Sequence, residues 1–377
     1  MQFSEIIGQS SVKQRLLLMY EAGRIPHALL LTGPEGTGAL PLAISFAQYI
    51  NCTGDKTSGD SCGRCPSCVK YKALTHPDLH FVYPVVKGSS PEVYSTDFLD
   101  KWRELFGESI YFSRIQWISR IKSDKQGAIF KDDVVALHQK LGQKSVEAPY
   151  KVLIMWLPEL MNETAANRIL KILEEPPSNS LFILVSENEN DILPTVLSRT
   201  QRIQVSPIDD ESICQHINRL CPTLGEEQSK RIAHISMGSM IRVNQVLNDN
   251  DELKSNIEFF ANLMRSCYRR DASAMVSFVD SISKMTRDEH KNRLQYCIHM
   301  IRESLVYNLQ QEELSVLTND EESFLKKFAV FIHPGNVFGL VDQFNTAIFH
   351  IERNGNSKII YFDLMMQVAV LLKIQRE

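Results

Sequence analysis

Three near-continuous apolar runs set the strongest limit on the fold: Ala28-Leu-Leu-Leu-Thr32, Val152-Leu-Ile-Met-Trp156 and Leu181-Phe-Ile-Leu-Val185. Each lacks the polar alternation of a half-exposed strand, as expected of strands covered on both faces. Amphipathic helical patterns separate them, so residues 1–206 read as a parallel α/β domain. After Pro207 the apolar positions recur at helical spacing instead, as in Ile257, Phe260, Ala261 and Met264. A small helical part over 207–250 and a larger one over 251–377 are expected, divided at the turn-forming Asn248-Asp-Asn-Asp251 cluster. Residues from about 84 to 126 break the α/β alternation. They carry Gly88, Ser89, Ser90 and Pro91 and then a Trp- and Phe-bearing helical pattern, and read as an insertion.

Gly33-Pro-Glu-Gly-Thr-Gly-Ala-Leu40 lies between the first run and a helical pattern, the place of a phosphate-binding loop. Gly33, Gly36 and Gly38 free the backbone to face a phosphate, as the pattern G-x-x-x-x-G-K-[ST] requires. The next two positions are Ala39 and Leu40. Neither supplies the lysine that reaches the β- and γ-phosphates or the hydroxyl that ligates Mg²⁺. Thr37 has a hydroxyl in the wrong register. A hydrolytic site also needs an acidic pair at the end of a neighbouring strand, and Trp156 and Leu157 stand there. No productive ATP/Mg site is expected. Taken alone, the loop is equally compatible with an unrelated glycine turn.

The N-terminus carries Glu5 and no apolar leader, and no apolar run approaches the roughly 18–20 residues that span a bilayer. A cytoplasmic protein without membrane contact is expected, and there the eight cysteines are not read as four disulfides. Cys52, Cys62, Cys65 and Cys68 form a C-x9-C-x2-C-x2-C cluster whose short steps let thiolates close around one ion. The expectation is a structural zinc module over 52–68; an iron–sulfur cluster, a redox dithiol and unliganded thiols are the alternatives. His76 is a possible substitute ligand. Cys214, Cys221, Cys267 and Cys297 are scattered and receive no role.

Asn162 is placed to cap a helix with apolar positions Ala165, Ile169, Leu170 and Leu173, which must stop at Pro176-Pro177. Glu174 and Glu175 at its C-terminal end oppose the helix dipole, so a tertiary partner is expected. The stretch from Ala166 to Pro177, ANRILKILEEPP, resembles the signature "ANALLKTLEEPP" of bacterial clamp-loader proteins of the AAA+ class. Leu193 to Thr200, LPTVLSRT, is similar to their "IPxTxxSRC" segment, and Ile7-Gly-Gln9, Arg24-Ile-Pro-His-Ala28, the cysteine knuckle and His76-Pro-Asp78 match in order. The likeness covers about residues 1–250. Absence of the loop lysine and of the acidic pair, with the Ser-Arg segment retained, resembles the delta-prime type of subunit in the DNA polymerase III clamp loader.

The resemblance implies an AAA+ domain over 1–206, a helical lid over 207–250 and a helical collar over 251–377. It implies one non-hydrolysing member of a five-membered ring with three ATPase subunits and a delta subunit, loading a sliding clamp onto primed DNA. The chain is then an accessory subunit of a polymerase holoenzyme with no intrinsic activity. Arg199 becomes an arginine finger acting in trans on a neighbour's ATP; an intramolecular ion-pair arginine is the plain alternative. Ser186 falls at the sensor position and is expected to pack or cap locally. A competent ATPase of the same family and a zinc-dependent nucleic-acid adaptor are the competing functions. A formal net charge of −4 excludes a wholly basic DNA-binding surface, so DNA contact must be local or delegated to partners. Tyr111, Phe112, Arg114, Trp117, Arg120, Lys122 and Lys125 mix aromatic and basic residues, which suits either base stacking or an amphipathic helix with Trp102 and Trp117 in the core.

Overall fold

The computed structural model describes residues 1–56, 59–87, 92–121, 127–247, 251–311 and 317–374. Gly88 to Pro91, Lys122 and Lys125 of the expected insertion, and Asn248 to Asn250 of the expected boundary, lie outside them. The chain begins α1 (Ser10–Glu21), β1 (Ala28–Thr32), α2 (Ala39–Ile50), α3 (Pro66–Lys72), β2 (Leu79–Val82), α4 (Leu99–Glu108), α5 (Arg114–Arg120) and α6 (Lys131–Gly142). It continues β3 (Lys151–Trp156), α7 (Glu163–Glu174), β4 (Ser180–Ser186), α8 (Pro194–Leu197), β5 (Gln201–Gln204), α9 (Asp210–Leu220), α10 (Glu226–Ser236) and α11 (Met240–Leu247).

The five strands among the described residues are all parallel, in the order β2-β3-β4-β1-β5, with Ala28 opposite Phe182 and Lys151 opposite Ser180. The three apolar runs are the three inner strands, and every residue in them is buried. Alternate residues face opposite ways along a strand. Leu29, Leu31, Ile154 and Ile183 therefore join Leu42 and Phe46 of α2 in one core. Leu30, Leu153, Phe182 and Leu184 join Ala165, Ile169 and Leu173 of α7 in the other. The Asn162 side chain accepts a bond from the Ala165 N–H at 2.8 Å, which starts α7 where the sequence places its cap.

The described part of the 84–126 stretch packs its rings inward. Trp102 and Trp117 are fully buried, and Trp102 stacks on Tyr83 at 4.2 Å between ring centroids, with Phe106, Phe112 and Trp156 around it. Asp133 of α6 lies buried beside this cluster. Its Oδ1 accepts the Ser95 N–H at 2.7 Å, while Oδ2 has no hydrogen-bond partner among the described residues. Burial raises its carboxyl to about 6. Because the folded value lies above the unfolded one, the stability linked to this group is present below about pH 4 and lost as pH rises through 6. Asp133→Asn, which can keep the Ser95 bond, is expected to raise stability by about 1–3 kcal/mol at pH 7.5 and by little at pH 4, in urea melts at the two pH values.

Contacts divide the chain into two compact units, one of Met1–Ala233 with Met237–Arg242 and one of His234–Ser236 with Val243–Glu377. The second is helical: α12 (Asp251–Arg269), α13 (Ala272–Ile282), α14 (Arg287–Asn308), α15 (Asn319–Phe328), α16 (Pro334–Glu352) and α17 (Ser357–Leu371). Phe260, Met300, Phe344, Tyr361 and Met365 form its centre. Apolar residues lie on two opposite sides of α17. Leu364, Met365 and Val368 point into the core, while Ile359, Phe362, Met366 and Val370 stand exposed along the other side. Cys267 and Cys297 are buried free thiols here, as is Cys214 in the first unit. No described helix is long and apolar enough to cross a membrane.

Candidate functional site

The glycine loop joins β1 to α2. Gly36 and Gly38 have φ of 82° and 96°, a left-handed backbone that side chains resist. The protein's own groups pack closely against the loop. A Cβ on Gly36 would stand 2.1 Å from the Ser239 hydroxyl oxygen. Ser239 Oγ donates to the Glu35 carbonyl at 3.0 Å, and the Met240 N–H donates to the Gly36 carbonyl at 3.0 Å. On another side, the Tyr111 hydroxyl accepts the Ile7 N–H at 3.0 Å, and its ring lies against Gly38. The Arg114 N–H donates to Glu35 Oε1 at 3.2 Å. Thr37 turns its hydroxyl inward to the Pro34 carbonyl at 2.7 Å. The remaining cavity measures about 40 Å³, lined by the loop glycines, Ala39, Leu40, Tyr111 and Trp156 among others. Small-molecule pockets are typically about 300–1,000 Å³.

At the end of β3 stand Trp156 and Leu157 where an acidic pair would be needed. Trp156 is buried against Trp102 and Phe112, and Leu157 takes a left-handed backbone of φ 57° and donates its N–H to the Val185 carbonyl at 2.8 Å. Glu159, two residues on, escaped the sequence reading because it follows Pro158 in a short turn. Its Oε1 accepts the Glu187 N–H at 2.9 Å, and burial raises its carboxyl above the ordinary range. Ser186 is buried, and its hydroxyl oxygen accepts the Asn188 N–H at 3.1 Å.

The sulfurs of Cys52, Cys62, Cys65 and Cys68 all lie within 4.8 Å of one another. Cys52 and Cys65 approach to 4.0 Å, and Cys62 and Cys68 to 3.9 Å. A tetrahedron with zinc–sulfur bonds near 2.3 Å has sulfur–sulfur edges of about 3.8 Å, so the four residues fit that ion. Gly54 is needed here, since a Cβ would stand 2.6 Å from the Cys62 sulfur. Backbone N–H groups of Cys62, Cys65 and Cys68 point at the sulfurs of Cys52, Cys62 and Cys65 at 3.3–3.4 Å. The Arg64 and Cys65 amides hold the Cys62 thiol below its ordinary value. Burial alone would raise Cys65, but bonds from Thr53 and Cys68 bring it down to about 5; burial keeps Cys52 and Cys68 high. His76 is not in the cluster. It packs on Tyr71, and its Nδ1 accepts the Asp78 N–H at 3.1 Å. Asp78 in turn accepts three amides, from Val146, Glu147 and Ala148.

Arg199 follows α8 at the edge of the first unit. Its Nη2 donates to Glu174 Oε1 at 2.6 Å, and Nη1 donates to the Thr195 carbonyl at 2.8 Å and to Ser198 Oγ at 3.3 Å. Glu174 thus has the tertiary partner its place at the end of α7 calls for. The aromatic residues near α5 are not available to stack on bases, since Tyr111, Phe112 and Trp117 are buried, and Arg120 is paired with Glu108 and Glu104.

Fold and site together define a parallel α/β protein whose phosphate-type loop lacks the lysine and hydroxyl of a hydrolytic loop and borders only a small cavity. The chain belongs to the family described as DNA polymerase III, delta subunit, whose profile matches residues 8–209. It is similar to the delta' subunit of DNA polymerase III from Bacillus subtilis, 27% identical over 205 residues, which are 54% of this chain and 50% of that protein. It is also similar to the gamma/tau subunit from Mycobacterium tuberculosis H37Rv, 26% identical over 59% of this chain and 32% of that protein. The chain therefore spans half or less of the length of these two relatives. A solved DNA polymerase III gamma subunit-related protein from Thermotoga maritima aligns over 96% of this chain and 99% of its own, at 12% identity and a TM-score of 0.43.

Proposed function

We propose that this chain is the delta-prime-type, non-hydrolysing subunit of a DNA polymerase III clamp loader. In this reading it sits in a ring with three ATPase subunits and a delta subunit and helps load the sliding clamp onto primed DNA. It is an accessory part of the holoenzyme without activity of its own. The observation that carries the reading is the loop's Ala39 and Leu40 in place of the lysine and hydroxyl, beside a cavity of only about 40 Å³. Residues 1–206 serve as a degenerate AAA+ wall, 207–250 as the lid and 251–377 as the collar. The exposed apolar side of α17 suits a collar that meets neighbouring subunits. Cys52, Cys62, Cys65 and Cys68 hold structural zinc, and Arg199 acts in trans on a neighbour's ATP. Its side chain is part-exposed, and its Nε hydrogen has no acceptor among the described residues, so a phosphate can reach the guanidinium without displacing Glu174.

The test is direct. Titration of the isolated chain with Mg-ATP is expected to give no binding heat at millimolar nucleotide, also after Ala39→Lys with Leu40→Thr, because those changes leave Tyr111 and Trp156 against the loop. Mixed with the ATPase and delta subunits, the chain should enter one stoichiometric complex. Tight Mg-ATP binding or robust hydrolysis by the isolated chain would falsify the reading.

A further inference from the structure

We infer that Glu174 is a positioning residue for Arg199, holding its guanidinium ready for the triphosphate of a neighbouring subunit; this rests on the arginine-finger reading above. A glutamate on the last residue of a helix opposes the dipole and is unfavourable there. A local rule broken in this way points to a duty elsewhere in the fold. Here the carboxylate lies 2.6 Å from Arg199 Nη2, across 25 positions of sequence.

The donors of the guanidinium can be followed one by one. Arginine has five N–H groups in a rigid plane. Nη1 serves the Thr195 carbonyl and Ser198 Oγ, and Ser198 Oγ itself donates to the same carbonyl at 3.0 Å. Nη2 gives one hydrogen to Glu174. The Nε hydrogen and the second Nη2 hydrogen have no acceptor among the described residues, and the side chain is 34% exposed. The plane is thus held by three acceptors while two donors stay open, a fork suited to phosphate oxygens. Fixing a free arginine costs rotamer entropy, which an unheld side chain would lose in the transition state. An exposed pair contributes little to folding, so its effect lies in orientation.

The experiment uses the complete reconstituted ring with sliding clamp and primed DNA, and reads kcat and KM for ATP. Arg199→Ala defines the turnover that depends on this arginine. Glu174→Ala should remove about half or more of that turnover with KM changed less than about twofold, and should add nothing in the Arg199→Ala background. Glu174→Gln, which keeps an acceptor oxygen, should recover most of the loss. Glu174→Lys suits the helix end and should leave the isolated chain at least as stable in thermal melts, yet bring turnover down to the Arg199→Ala level. Wild-type turnover in Glu174→Ala or Glu174→Lys, with Arg199→Ala defective, overturns the positioning role and leaves the finger standing. A rise in turnover in Glu174→Ala means restraint instead of positioning and overturns it equally. An Arg199→Ala ring as active as wild type removes the finger reading and this inference with it.

Discussion

Chelation of the purified protein is expected to release about one zinc per chain and to unfold residues 52–68, and Cys65→Ser should do the same without a chelator. Structural zinc in small modules has an apparent binding free energy of about 10–16 kcal/mol at neutral pH, far more than such a short segment gains from apolar burial. The damage should spread in a definite direction. Asp60 accepts the Phe3 and Ser4 amides at 3.0 and 2.9 Å, and Gln2 Nε2 donates to the Ser61 carbonyl at 2.5 Å. The Met1 amine reaches Gln48 Oε1 at 2.8 Å, and Gln48 Nε2 donates to Ser61 Oγ at 2.8 Å. The first residues are therefore strapped to the cysteine module, and loss of metal should free buried Met1 and Phe3 as well. Hydrogen exchange read on residues 1–6 and on α3, alongside elemental analysis, checks this. Iron in place of zinc, or a metal-free protein with full protection, sinks the assignment.

Arg199→Ala should lower ATP turnover at the neighbouring site of the assembled ring by about 10³–10⁵-fold, the usual worth of an arginine finger. The loss should fall on kcat, because a guanidinium that meets charge developing on the γ-phosphate acts in the transition state. Arg199→Lys should not restore the rate, since an ammonium cannot hold Thr195, Ser198 and Glu174 in one plane and still present a fork. Assembly of the ring, followed by size and stoichiometry, should be unchanged. Steady-state and single-turnover assays separate chemistry from binding, and an undiminished single-turnover rate would end the finger role.

What was legible in the sequence follows from burial. Inner strands covered on both faces leave unbroken apolar runs, so β1, β3 and β4 could be read directly. The edge strands could not. β2 carries the half-buried His80, and three of the four residues of β5 are exposed, so neither makes a continuous apolar signal. The missing lysine and acidic pair were plain because they are defects in a local pattern. What packs against the loop was not, since Tyr111 reaches Ile7 across 104 positions and Ser239 reaches Glu35 across 204. The mixed basic and aromatic segment had two readings because a buried amphipathic helix and a base-stacking surface draw on the same residue types; only the burial of Trp117, Tyr111 and Phe112 separates them. Arg199 was recognised through its motif, whereas its link to Glu174 needed three dimensions, although the misplaced charge at the helix end had already asked for a partner.

The two bonds that tie Ser239 and Met240 to the glycine loop have a consequence for timing. A joint closed by a nucleotide opens and shuts with the supply of that nucleotide. On the function proposed above, one closed by a serine hydroxyl and a backbone amide does not follow that supply. In a ring whose other members cycle, such a chain would be the stator, the fixed frame against which each neighbour's stroke is measured.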